Sequence, residues 1–293
     1  MLALVAVAVL ALCAGSAAAQ SASDGAARIA FSRTAGESLD TEIWTAGAAG
    51  GNPWRIVRLR HAAADEPAWS PSGRSIAFVV DHDPPGSGQF EIYVARADGR
   101  GVRRLTQAGK TEDSEPAWST DGGRIAFSKY TRGGLRTLGV YVMRTDGRLQ
   151  HRLTRSRCDY DPAWSPNGRR IAVSRCGALF IVNADGTHAR RLTRPPPGSS
   201  DEQPDWSPKG RSIAFVRIGS DDRAVLWLIR TDGKGERQLT DGGDEHSPSW
   251  SPSGRFVAFA SYTAIRAVNA ATGQMRVLVT MRGSDLANPT WRP

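Results

Sequence analysis

Pro162-Ala163-Trp164-Ser165-Pro166-Asn167-Gly168-Arg169-Arg170-Ile171-Ala172-Val173 decides the fold, because it is one copy of a unit that recurs along the chain. The same pattern reads Pro67-Ala68-Trp69-Ser70-Pro71-Ser72-Gly73-Arg74-Ser75-Ile76-Ala77-Phe78, and it starts again at Pro116, Pro204, Pro248 and Pro289. The repeated tryptophans Trp69, Trp118, Trp164, Trp206, Trp250 and Trp291 are 49, 46, 42, 44 and 41 residues apart. A period of about 40 to 50 residues, built from short strands and turn residues, is the signature of a β-propeller.

Each unit reads as four strands. Ala163-Trp164-Ser165 is the first, and Pro166-Asn167-Gly168 has the chemistry of a tight turn. Arg170 to Val173 is the second strand, with β-branched and small side chains suited to close sheet packing. Leu179 to Val182 is the third, Asp185-Gly186 a second hairpin, and Arg190-Arg191-Leu192-Thr193 the fourth. One such sheet cannot bury both faces alone, whereas sheets stacked radially bury the Trp, Ile, Phe and Leu positions between neighbours.

The chain ends set the blade count. Arg28-Ile29-Ala30-Phe31 looks like a second strand with no first strand before it. Asn288-Pro289-Thr290-Trp291 looks like a first strand with nothing after it. Pairing the two closes a ring of six four-stranded antiparallel blades over residues 28–293, an all-β fold. An open solenoid would leave an exposed hydrophobic edge.

These residues resemble the Pro-x-Trp-Ser-Pro-x-Gly-(Arg/Lys)-x-Ile-Ala-Phe repeats of the TolB-like propeller family, distant relatives of the Trp-Asp repeats. The resemblance implies a propeller that binds other proteins in the cell envelope. TolB itself carries an α/β domain before its propeller, and nothing in this sequence reads as that domain.

Leu2 to Ala19 is an apolar run ending Ala17-Ala18-Ala19. It reads as a secretory signal peptide cleaved after Ala19, although no Lys or Arg precedes the run. An uncleaved anchor and a lipoprotein at Cys13 are the competing readings. Residues 20–27 read as a flexible lead-in. The expected location is the periplasm or the extracellular space.

Cys158 and Cys176 lie nine residues before and after Asn167, which makes them candidate cross-strand neighbours and a candidate disulfide in an oxidising compartment. A register shift of one residue would put their side chains on opposite faces.

Propeller topology sorts the loops. Asp65, Glu66, Asp113, Glu115, Asp159, Asp161, Asp201, Glu202, Asp244 and Glu245 all precede the repeated proline and belong to one face. Arg74, Arg124, Arg169, Lys209, Arg211 and Arg255 belong to the other. The expectation is an acidic, loop-rich face opposite a basic one. Asp65, Asp113, Asp159, Asp201, Asp244, Glu245 and His246 are the candidate partner-binding residues at the channel mouth. Two readings of these acids stand: caps for the turns, or a mouth that takes a cation or a basic segment of a partner.

The sequence contains no Gly-x-Ser-x-Gly elbow, no P-loop and no His-Glu-x-x-His pattern, so no catalytic residue, cofactor or metal site is assigned. Asp244, Glu245 and His246 form the one cluster that could ligate a metal near the channel. A net charge of +9 raises nucleic-acid binding, but the cations are dispersed among the repeats and no recognition motif accompanies them. Non-specific attraction to anionic envelope polymers fits that charge better. The reading is therefore an exported, non-catalytic, monomeric propeller that serves as a protein-interaction scaffold. A metal-dependent hydrolase or lyase acting on a sugar or lactone at the same mouth is the alternative.

Overall fold

The computed structural model describes residues 28–36, 41–48, 51–82, 88–107, 109–133 and 136–293. The leader and lead-in read on residues 1–27 lie outside the described residues. Six four-stranded antiparallel sheets form the six blades, and the described residues contain no helix. The inner strands are Ser284–Trp291 in blade 1, Ala63–Trp69, Thr111–Trp118, Asp159–Trp164 and Ser200–Trp206 in blades 2 to 5, and His246–Trp250 in blade 6. In blade 1 the inner strand comes from the C-terminal end of the chain. Ser284–Trp291 pairs with Arg28–Ala35, with Ile29 opposite Trp291 and Ala35 opposite Ser284, which closes the ring.

The repeated Trp-Ser-Pro-x-Gly unit builds the turn out of each inner strand. In blade 4, Gly168 N–H donates to the Ser165 carbonyl at 2.8 Å, and Ser165 Oγ accepts from Arg170 N–H at 2.9 Å. Gly168 has φ +67°, a conformation that glycine adopts without steric cost. At the next hairpin a Cβ on Gly186 would meet the Leu153 carbonyl oxygen of the preceding blade at 1.9 Å, so only glycine fits there.

In blades 2 to 5 the fourth strands are shorter than the sequence pattern suggests. Arg103–Arg104, His151–Arg152, Arg190–Arg191 and Arg237–Gln238 pair for two residues each. The following Leu-Thr has another role. Leu105, Leu153, Leu192 and Leu239 turn into the core. Thr106, Thr154, Thr193 and Thr240 accept through Oγ1 from the buried N–H groups of Ile92, Val140, Leu179 and Leu226, at 2.9 to 3.2 Å. A short, arginine-rich outer strand is also a poor template for edge-to-edge pairing.

The core lies between blades rather than within them. Trp69, Ile76 and Phe78 of blade 2 pack on Ala30, Ile43 and Val57 of blade 1. Trp206, Ile213 and Phe215 of blade 5 pack on Ala172, Leu179 and Ile181 of blade 4. Phe31, Phe78, Phe127, Phe215 and Phe259, one per blade in five of the six, are completely buried. Each blade therefore supplies half of two interfaces, and burial of this apolar area is the main force holding the ring shut.

Candidate functional site

The centre of the ring is a channel of about 660 Å³, and successive positions of the repeat line it in layers. Glu66, Glu115, Asp161, Gln203, Ser247 and Asn288, each directly before the repeated proline, form a polar layer. The prolines follow, then Ala68, Ala117, Ala163, Asp205, Ser249 and Thr290, then the tryptophans. Pro71, Thr120, Pro166, Pro208, Pro252 and Pro293 line the far end.

The polar layer is produced by a repeated irregularity. Every inner strand carries a register shift just before its proline, for example between Tyr160 and Ala163 in blade 4. The six polar residues sit in that bulge with φ between +48° and +56°. Non-glycine residues in this region cost roughly 1–2 kcal/mol each, and a following proline disfavours it further. A belt of hydrogen bonds between blades holds them there. Glu66 Oε2 accepts from Glu115 N–H at 2.5 Å, and Glu115 Oε2 accepts from Asp161 N–H at 2.8 Å. Asp161 Oδ2 accepts from Gln203 N–H at 2.9 Å, and Gln203 Oε1 accepts from Ser247 N–H at 2.7 Å. Ser247 Oγ donates to Asn288 Oδ1 at 2.7 Å, and Asn288 Nδ2 donates to Asp65 Oδ1 at 2.8 Å. Asp65 Oδ1 also accepts from Glu66 N–H at 2.7 Å, which completes the circuit.

The belt is electrically lopsided. Glu66, Glu115 and Asp161 are consecutive carboxylates, whereas Gln203, Ser247 and Asn288 are neutral. Burial, reinforced by Glu115 and Asp65, pushes the Glu66 carboxyl up to about 8. Burial and then Glu115 push Asp161 well above the usual carboxylate range. Tyr130 donates to Glu115 Oε1 at 2.8 Å, and burial together with these carboxylates raises its phenol. Two layers deeper, burial raises Asp205 to about 7, where it accepts from Trp250 N–H at 2.7 Å. On this side of the channel burial therefore favours the protonated form of Glu66, Asp161 and Asp205.

The structure divides the residues singled out on the sequence. Asp113, Asp159 and Asp201 are at most 2% exposed. They pair across the blade with cations of the second strand rather than opening into the mouth. Asp113 pairs with Lys129, Asp159 forks with Arg175 at 2.5 and 2.7 Å, and Asp201 forks with Arg217 at 2.6 and 2.8 Å. Glu245 is buried as well, accepting from Thr240 Oγ1 and from Leu226 N–H. Only Asp65, Asp244 and His246 keep partial exposure, with His246 Nε2 3.1 Å from Asp244 Oδ1. The expected acidic face is accordingly not made by these seven together. Among the described residues no group of three or more His, Cys, Asp or Glu side chains could hold a metal ion.

The residues that line the channel directly precede the proline, whereas Asp113, Asp159, Asp201 and Glu245, chosen from the sequence, stand three positions before it. The signal was present as a polar residue before every repeated proline, but the bulge that turns it inward is invisible to strand alternation. That bulge also positions the cysteines. It offsets the hairpin register by one residue, so Asp159 faces Arg175 and the adjacent Cys158 and Cys176 meet in a disulfide, with Cα atoms 5.3 Å apart.

A closed six-bladed ring with layered repeat residues along its channel defines a class of propeller. The TolB beta propeller domain model matches residues 6–177 and 113–293, and the chain belongs to that family. TolB from Acinetobacter baumannii is similar in structure, with a TM-score of 0.78 at 20% identity over 92% of this chain and 67% of that one. A TolB-type protein of Agrobacterium tumefaciens gives a TM-score of 0.66 at 18% identity, covering 92% of this chain and all (100%) of that one. An oligogalacturonate lyase in complex with manganese gives 0.60 at 11% identity, covering 83% of this chain and 72% of that one. No curated protein matches the chain. Likenesses at this level of identity establish the fold and nothing finer.

Proposed function

We propose that this protein is an exported, non-catalytic scaffold whose loop face and channel mouth dock another protein of the envelope or the extracellular space. The observation that carries the reading is the belt of strained polar residues around the channel. Six non-glycine residues are held at positive φ, and strain of this kind is retained where a surface must be preformed for a ligand. A preorganised mouth loses little entropy on binding. Asp65, Asp244 and His246 stand at the rim as direct contacts, while Asp113, Asp159, Asp201 and Glu245 position the strands behind them. Export is supported by the apolar leader read at residues 2–19 and by the disulfide between Cys158 and Cys176, which suits an oxidising compartment.

The test is affinity capture from an envelope extract of the host, with the chain from Gln20 as bait at low and at moderate salt. A protein retained at moderate salt by the wild type is the expected result. Loss of every captured protein as salt rises would mean that only net charge was at work, and the scaffold reading would fail.

A further inference from the structure

Asp113, Asp159, Asp201 and Glu245, expected to colour the loop face, are buried, and over blades 3 and 4 that face presents arginine instead. Lys110, Arg132, Arg136, Arg155, Arg157 and Arg194 are all exposed there. Among the described residues none of the six pairs with a carboxylate, in contrast to Lys129 and Arg175 just beneath them. The stretch from 129 to 199 contains only four carboxylates. Asp159 is consumed by Arg175, Asp161 belongs to the channel belt, and Asp146 and Asp185 sit in hairpins on the opposite face. Glu112, from the strand before, is buried and accepts from Gly133 N–H.

The loops that carry the six cations adjoin one another and set them in a band. Arg132 N–H donates to the Lys110 carbonyl at 3.2 Å, and Thr131 N–H donates to the Arg136 carbonyl at 2.9 Å. Thr137 Oγ1 donates to the Arg157 carbonyl. The Cys158–Cys176 disulfide carries the band on to Gly177, where a Cβ would lie 3.9 Å from the Ser199 carbonyl in the loop that bears Arg194. The middle of the band is fixed in place. Arg152 Nη2 donates to the Arg155 and Ser156 carbonyls at 2.9 and 3.1 Å, and the disulfide clamps the far side of the same loop.

We propose that this band is a docking surface for an acidic segment of a partner protein, a surface distinct from the channel mouth. The proposal deepens the scaffold reading and rests on it. Guanidinium forks match carboxylates bidentately, so five arginines and one lysine on a fixed backbone suit a run of Asp and Glu. The exposed large apolar side chains Trp54, Val102, Leu149, Tyr262, Met275 and Val277 all lie elsewhere, so among the described residues the band has no exposed apolar anchor for lipid.

The test is a fluorescence-anisotropy titration of the whole exported chain with a labelled oligo-glutamate peptide. The triple variant R155E/R157E/R194E is compared with R100E/R148E/K234E, which makes the same change of net charge on the opposite face. The first triple is expected to weaken binding about tenfold or more and the second no more than about twofold, because local complementarity rather than total charge decides. R155Q/R157Q/R194Q, a milder change on the same loops, is expected to fall between wild type and the first triple. Equal loss in the two charge-reversed triples would overturn the proposal, and so would binding to anionic phospholipid vesicles without binding to the peptide. If the peptide does not bind while an envelope protein is still captured at moderate salt, the docking surface fails and the scaffold reading stands.

Discussion

Asp159 and Arg175 show how one residue can mislead a reading of charge. A carboxylate three residues before the repeated proline looks like part of a mouth, yet it points between strands and is completely buried against a guanidinium. Removing one partner of such a pair leaves a buried charge without compensation and typically costs about 3–5 kcal/mol. R175A is expected to lose that much in a denaturant titration, whereas the apolar double variant D159L/R175M is expected to lose far less. Glu66 makes the opposite case, a carboxyl that burial holds in its protonated form. Its folded-state value of about 8 lies above the ordinary glutamate value of 4.5, so the folded state binds the proton more tightly than the unfolded chain. Its contribution is fully present below the unfolded value and is lost as pH rises through the interval from 4.5 to about 8. Asp205, raised from 3.8 to about 7, adds to the same trend. E66Q keeps an acceptor for Glu115 N–H, as Gln203 does for Ser247. Thermal melts at about pH 5 and about pH 8.5 are expected to show a smaller drop for E66Q than for the wild type, at about 2–4 °C for each kcal/mol recovered.

At the scale of the element, strands, turns and blade limits were legible because Trp-Ser-Pro-x-Gly and Arg-Leu-Thr repeat with their turn chemistry intact. Two features were not. The bulge before each proline leaves no trace in a pattern read two residues at a time, so the pattern groups Glu66, Glu115 and Asp161 with the loop acids instead of placing them in the channel. The Leu-Thr of the fourth strand has the pattern of paired residues, although its leucine plugs the core and its threonine satisfies a buried N–H of the third strand. That second role is testable. T193V keeps the shape of the side chain but removes the acceptor for Leu179 N–H. A buried donor left unpaired costs about 1–3 kcal/mol, and urea denaturation of T193V should show a loss of that size with an unchanged slope.

For the whole molecule, ring closure joins the two chain ends, and the complementary half-blades at Arg28 and Trp291 announced it in the sequence. Leu286 and Trp291 contribute to the apolar cluster that seals blade 1 against blade 6. A chain truncated after Gly283 exposes that cluster and the open edge of Arg28–Ala35, and size-exclusion chromatography should find it as oligomers or aggregates rather than as the compact species of the full chain. The faces of the ring were harder to read, because charge in the sequence does not show which ions are already paired. Pairing withdraws Asp113, Asp159 and Asp201 from the loop face and leaves Arg155, Arg157 and Arg194 on it. The most direct test of the scaffold account is hydrogen–deuterium exchange on the complex with the protein captured at moderate salt. The account predicts slowed exchange on the loop face, over 58–66, 105–115, 153–161, 192–203 and 239–247. Protection confined to the opposite hairpins at 97–100, 145–148, 184–187 and 231–235 would contradict it.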